Sequence, residues 1–157
     1  MLHAMSSIAR PEHQVTVFSG IGNLPVFSPD LEDRPRPDAV QSFTDMIQDS
    51  DGVIISSPEY VRAIPGGLKN AIDWLVSREE IINKPIALMH ASHRGDDMLA
   101  QLRLVLSTVS QRFAVDLFLR LELMKLSPEE IAHRLTTPEN RLAVAEFLRS
   151  FANHCRQ

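Results

Sequence analysis

Two periods of apolar residues run along this chain. Short runs rich in β-branched, aliphatic and aromatic residues predict strands at Val15 to Phe18, Gly52 to Ile55, Ile86 to Met89 and Ala114 to Leu119. Between them the apolar positions fall at helical spacing. Val40, Phe43 and Ile47 share one face of a helix predicted over Asp38 to Ser50. Leu68, Ala71, Ile72, Leu75 and Val76 mark a second, from near Pro65 to Ser77, with Pro65 suited to the first helical position because its missing N–H is not needed there. Leu102, Val105, Leu106 and Val109 mark a third over Met98 to Phe113. Ser127 followed by Glu130 predicts a capping box at a helix start, and a final helix from Pro138 buries Val144, Phe147, Leu148, Phe151 and Ala152.

The run Ile86 to Met89 is apolar at every position and so is expected to be buried on both faces. Strands alternating with helices predict an α/β domain with a parallel sheet covered on both sides. No internal repeat, low-complexity tract or linker interrupts residues 1–157, so a single domain is expected.

Composition narrows the function classes. At 44% apolar and 23% charged the chain is ordinary for a globular protein. A net charge of -4, with basic residues scattered, argues against nucleic acid as a partner. No apolar stretch is long enough to cross a bilayer, and the first residues do not read as a signal peptide. The lone Cys155 fits a reducing cytoplasm and reads as a small apolar residue on a helix.

In an open parallel sheet, ligands bind beyond the carboxyl ends of the strands. Ser19 to Pro25, Ser56 to Ile64 and Ala91 to Asp97 occupy that position. The middle loop carries Tyr60 and Arg62 and feeds a helix N-terminus, which favours anions. His90 and His93, three apart in extended chain, point to opposite faces and do not share a metal ion. Arg94-Gly95-Asp96 is read as a coincidental tripeptide, and Gly20-Ile21-Gly22 as loop chemistry without the helix of a dinucleotide fingerprint. Trp74 reads as core or subunit contact, and Lys69 and Asp73 as a helix-surface pair.

"SPEYVRAIPGGLKNAIDWL" resembles the NAD(P)H-dependent FMN reductases, a flavodoxin-like family that includes quinone, azo-dye and chromate reductases. Pro58, Glu59, Tyr60, Ile64, Pro65, Gly66, Leu68, Lys69, Asn70, Ala71, Asp73 and Trp74 carry the likeness, and "IGNLPVFSPDLE" extends it. The resemblance implies FMN at the sheet's edge, with Pro58, Glu59, Tyr60, Val61 and Arg62 against the flavin ring. Ser92, His93, Arg94 and Gly95 would lie on its other side. It further implies hydride transfer from NAD(P)H, a small-molecule electron acceptor such as a flavin or quinone, and a homodimer or homotetramer. No catalytic side chain is expected, since the flavin carries the chemistry.

Two departures qualify this. Val61 and Arg62 stand where the family has Asn and a small residue. The family's first strand and phosphate-gripping loop have no counterpart ahead of Val15, so the expected fold is flavodoxin-like but N-terminally truncated, with its first strand absent. The strands at Val15 and Val53 are then expected to leave unpaired edges facing each other. A late start, a partner chain filling the gap, and a degenerate relative that has lost tight FMN binding are the three explanations. The last makes the chain a non-catalytic binding or assembly module, the alternative function.

Overall fold

The computed structural model describes residues 1–9, 12–32 and 34–157; Arg10, Pro11 and Asp33 lie outside them. The strands are β1 (Val53–Ser56), β2 (Ile86–His90) and β3 (Phe113–Arg120), parallel and in the order β1-β2-β3. Helix α1 (Leu2–Ala9) and α2 (Asp38–Gln48) precede β1, and α3 (Gly66–Asp73) and α4 (Glu79–Ile82) link it to β2. Helix α5 (Asp96–Val109) links β2 to β3, and α6 (Pro128–Leu135) and α7 (Pro138–Cys155) follow.

Strand β2 organises the layers because every residue in it is buried. Its side chains alternate across the sheet. Ile86 and Leu88 enter a core with Val40, Phe43 and Ile47 of α2, Ile72 of α3 and Leu102 and Leu106 of α5. Ala87 and Met89 enter the opposite core with Met5 of α1 and Val144, Phe147, Leu148 and Phe151 of α7. The parallel sheet with helices on both faces therefore follows directly from the predicted pattern.

Several boundaries differ from the sequence reading, each for a local reason. Pro65 is the cap residue ahead of α3, with extended ψ of 138°, rather than its first helical residue. Helix α5 begins at Asp96, where two carboxylates meet the positive end of the helix, and stops at Val109 so that Phe113 opens β3. In β3, the stretch between Phe113 and Phe118 bulges against only Ile86 to Leu88 of β2, which exposes Val115 and Asp116. The capping box forms as expected, Ser127 Oγ accepting from the Glu130 N–H and Glu130 accepting from the Ser127 N–H.

Val15 to Phe18 is the clearest correction. It runs without helix or ladder, because a strand needs a neighbour and, among the described residues, β1 is hydrogen-bonded only to β2. The apolar content still packs: the Phe18 and Phe43 rings lie 5.0 Å apart, and Ser6 Oγ donates to the Val15 carbonyl. Between this segment and the free edge of β1 lies a slot of about 790 Å³, lined also by Phe43, Ile47, Ile72 and Phe151. Of the two strand edges expected to face each other unpaired, that of β1 is present, while Val15 to Phe18 forms no strand.

Candidate functional site

The loops after β1 and β2 meet at the carboxyl edge of the sheet. His90, the last residue of β2, joins them from beneath at 2% exposure. Its Nδ1 lies 3.1 Å from the Ser57 carbonyl oxygen, and its Nε2 2.6 Å from that of Arg94. A carbonyl only accepts, so a neutral ring can serve one of the two, and only the doubly protonated ring donates to both. Gly95 lies against the same ring, in the left-handed region at φ 99°. A Cβ there would come within 2.6 Å of His90 Nε2, so the loop after β2 closes over the imidazole only because residue 95 has no side chain.

Above this clasp the loop after β1 makes a tight turn. Tyr60 and Ala63 exchange main-chain hydrogen bonds, and both central residues, Val61 and Arg62, have positive φ, as a type I′ turn requires. Tyr60 is 63% exposed and Val61 98% exposed. The N–H groups of Val61 and Arg62 bond to nothing among the described residues, which leaves donors at the tip of the loop. At its root, the half-buried Glu59 carboxylate accepts the Met98 N–H at 3.0 Å, on the first turn of α5.

Charges around the site are largely paired. Arg62 Nε meets Asp97 at 2.5 Å, and this hydrogen bond, with the Asp97 charge, raises the guanidinium above its usual range. Arg120 meets Asp96 at 2.5 Å and, chiefly through that hydrogen bond, holds the Asp96 carboxyl below the ordinary value of 3.8. Arg62 is therefore engaged within the site. Arg94 and His93 are exposed, and Ser92 Oγ accepts the Arg94 N–H at 3.0 Å, which shapes the second loop.

The exposed turn with its unpaired donors and aromatic Tyr60 thus stands at the same end of the sheet as a second loop of polar residues. Residues 2–118 match the model of the NADPH-dependent FMN reductase family. The chain belongs to that family.

Among its relatives within and around the FMN reductases, the chain is 42% identical over 74 residues to a 2-hydroxy-1,4-benzoquinone reductase of a Burkholderia species, 47% of this chain and 39% of that one. It is 33% identical over 91 residues to a quinone reductase of Escherichia coli K12, 56% of this chain and 48% of the relative. The aligned stretch thus spans less than half of either curated relative. In three dimensions the flavodoxin-like fold matches FerB, a flavoenzyme NAD(P)H:(acceptor) oxidoreductase from Paracoccus denitrificans, with a TM-score of 0.73 over 98% of this chain and 86% of that one, at 23% identity. As expected from the sequence, no helix among the described residues is long and apolar enough to cross a membrane.

Within this chain, the loops carrying Pro58, Glu59, Tyr60, Val61 and Arg62 and carrying Ser92, His93, Arg94 and Gly95 are brought together by His90, Met98 and Asp97. The third loop, Ser19 to Pro25, is instead tied to α3. Asn70 Nδ2 and the Trp74 indole N–H both donate to the Pro25 carbonyl, at 3.0 and 2.8 Å, and Asn70 Oδ1 accepts from the Phe27 N–H. Trp74 is fully buried, in keeping with its reading as core. Part of the family-like motif is thus architectural. Lys69 and Asp73 pair at 2.5 Å on the helix surface. His90 is buried at the end of β2, and His93 is exposed in the bend that follows, so the two do not share one extended segment. The roles of His90 and Asp97 were not read from the sequence; Gly followed by two Asp at a helix start was the available signal for the second.

Proposed function

We propose that this chain acts in a flavin-dependent oxidoreductase, with the ring of FMN seated between the Pro58–Arg62 and Ser92–Gly95 loops. The observation that carries the reading is the His90 clasp, a ring set between the Ser57 and Arg94 carbonyls of the two loops, beside a turn whose Val61 and Arg62 N–H groups have no partner among the described residues. When bound, FMN supplies the electron chemistry, taking hydride from NAD(P)H and reducing a small quinone-like or flavin acceptor. The Val61 and Arg62 N–H groups donate to the polar edge of the ring. Tyr60 covers part of one face, and Ser92, His93 and Arg94 border the other side. No side chain serves as nucleophile or base. The quinone reductase names of the curated relatives support the acceptor class. The reading includes residues 1–157 working as one flavodoxin-like unit, in the cytoplasm, as a homodimer or homotetramer.

The test is a titration of FMN with the purified chain, followed by flavin fluorescence. Saturable quenching is expected. Tyr60→Ala should weaken it by about two- to thirteenfold, the effect of losing one aromatic contact worth ~0.5–1.5 kcal/mol. Unchanged fluorescence with a folded sample overturns the reading.

A further inference from the structure

The turn at the tip of the first loop is strained, and what holds it comes from elsewhere. Val61 and Arg62 stand in succession at φ 51° and 59°. That region is uncommon for any residue but glycine, and a β-branched side chain suits it least. Val61 is 98% exposed, so packing of its own side chain does not offset the strain. The hydrogen bonds between Tyr60 and Ala63, at 3.3 and 3.0 Å, close the turn through the Tyr60 carbonyl and the Ala63 N–H, and engage neither the Val61 nor the Arg62 carbonyl.

Helix α5 supplies the restraint. Gln101 Nε2 donates to the Arg62 carbonyl at 2.9 Å, and Asp97, one helical turn before it, takes the Arg62 side chain. The ion pair is exposed on both sides and is therefore weak in water. The Gln101 bond is different in kind because it acts on the main chain. It fixes the carbonyl end of the peptide that leaves Arg62, whose Ala63 N–H is held by Tyr60, and so anchors to α5 the residue whose own N–H is unpaired.

We propose that Gln101, assisted by Asp97, is a positioning residue that holds the Tyr60–Ala63 turn in its left-handed form and presets its outward N–H groups for the flavin ring. The flavin part rests on the reading above; the brace itself is open to measurement without flavin.

Amide hydrogen exchange at Tyr60 and Ala63 in the flavin-free chain, paired with FMN titration, tests both parts. The variants are Gln101→Ala, Gln101→Glu, Val61→Gly and Gln101→Ala combined with Val61→Gly. Gln101 is exposed, so its variants are expected to keep the wild-type melting temperature. Glutamate keeps the size of glutamine but as a carboxylate cannot donate, so both Gln101 variants should speed exchange at the two amides and weaken FMN binding about tenfold. Adding Val61→Gly to Gln101→Ala should restore both, because glycine adopts positive φ without strain. Unchanged exchange in the Gln101 variants overturns the brace. A Gln101→Glu chain that behaves like wild type also overturns it, as does a loss that Val61→Gly leaves in place. Exchange that follows the expected pattern in a chain that binds no FMN supports the brace and sinks the flavin reading alone.

Discussion

At the scale of single residues, the site depends on backbone conformations that side chains ordinarily resist. Gly95 combines a φ of 99° with a His90 ring where its Cβ would stand. Gly95→Ala should therefore lower unfolding stability by about 1–3 kcal/mol in a urea melt. It should also weaken FMN quenching, since relieving the clash moves the Arg94 carbonyl off His90. The glycine was legible as part of a loop, but its necessity was not. Nothing local to Arg94-Gly95-Asp96 says that an imidazole from β2 fills the space beneath. Val61 misleads in the opposite direction: a β-branched residue favours extended backbone, yet it stands at φ 51° in the turn that Tyr60 and Ala63 close, beside an Arg62 held by α5 far along the chain. Cys155 agrees with its expected reading. Burial, with the Asp51 charge, raises its thiol above 9.0, so it should alkylate slowly at neutral pH.

At the scale of elements, the helix start at Ser127 was legible because its signal is local. The capping box at Ser127 lies within four residues and forms as written. Ser127→Ala should cost about 1 kcal/mol, measured by urea unfolding. The pH dependence has a definite sign. The Glu129 carboxyl, hydrogen-bonded by its own main-chain N–H and by Ser127, is held below its ordinary value of 4.5. A carboxyl depressed in the folded state contributes stability above its unfolded value and loses it as pH falls through the folded one. Asp96, depressed chiefly by its bond to Arg120, behaves the same way below 3.8. Stability should thus hold at neutral pH and decline on acidification below pH 4.5, with Ser127→Ala reducing the steepness of that decline. Element ends governed by tertiary contacts were read less well. Helix α5 stops early because Gln111 and Arg112 turn the chain into β3, where Arg112 binds the carbonyl of His154.

At the scale of the whole molecule, the uneven burial of the sheet is the dominant feature. All of β2 is enclosed, while β1 is only half-buried along its length, beside the slot opposite Val15 to Phe18. The Val53 N–H bonds to the Pro85 carbonyl, so by strand alternation Val53 and Ile55 direct their N–H groups toward β2. Ile54 and Ser56 direct theirs toward the slot. Hydrogen exchange should be slowest in β2, slow at Val53 and Ile55, and much faster at Ile54 and Ser56. Equal protection along β1 would mean that its outer edge is paired in solution.

What the sequence determined by itself was the periodic part of the protein. Buried runs become strands and apolar stripes become helix faces, because burying one face requires those spacings whatever lies opposite. The motif around Pro58 to Trp74 identified the family for the same reason of locality, since its residues are near neighbours in the chain. The tertiary structure alone decided which of those residues face outward. It turned Asn70 and Trp74 inward to hold Pro25, put His90 between two carbonyls, and engaged Arg62 with Asp97. It also left Val15 to Phe18 outside the sheet. A strand, unlike a helix, takes its hydrogen bonds from a segment elsewhere in the fold, and no run of β-branched residues can specify that neighbour from within.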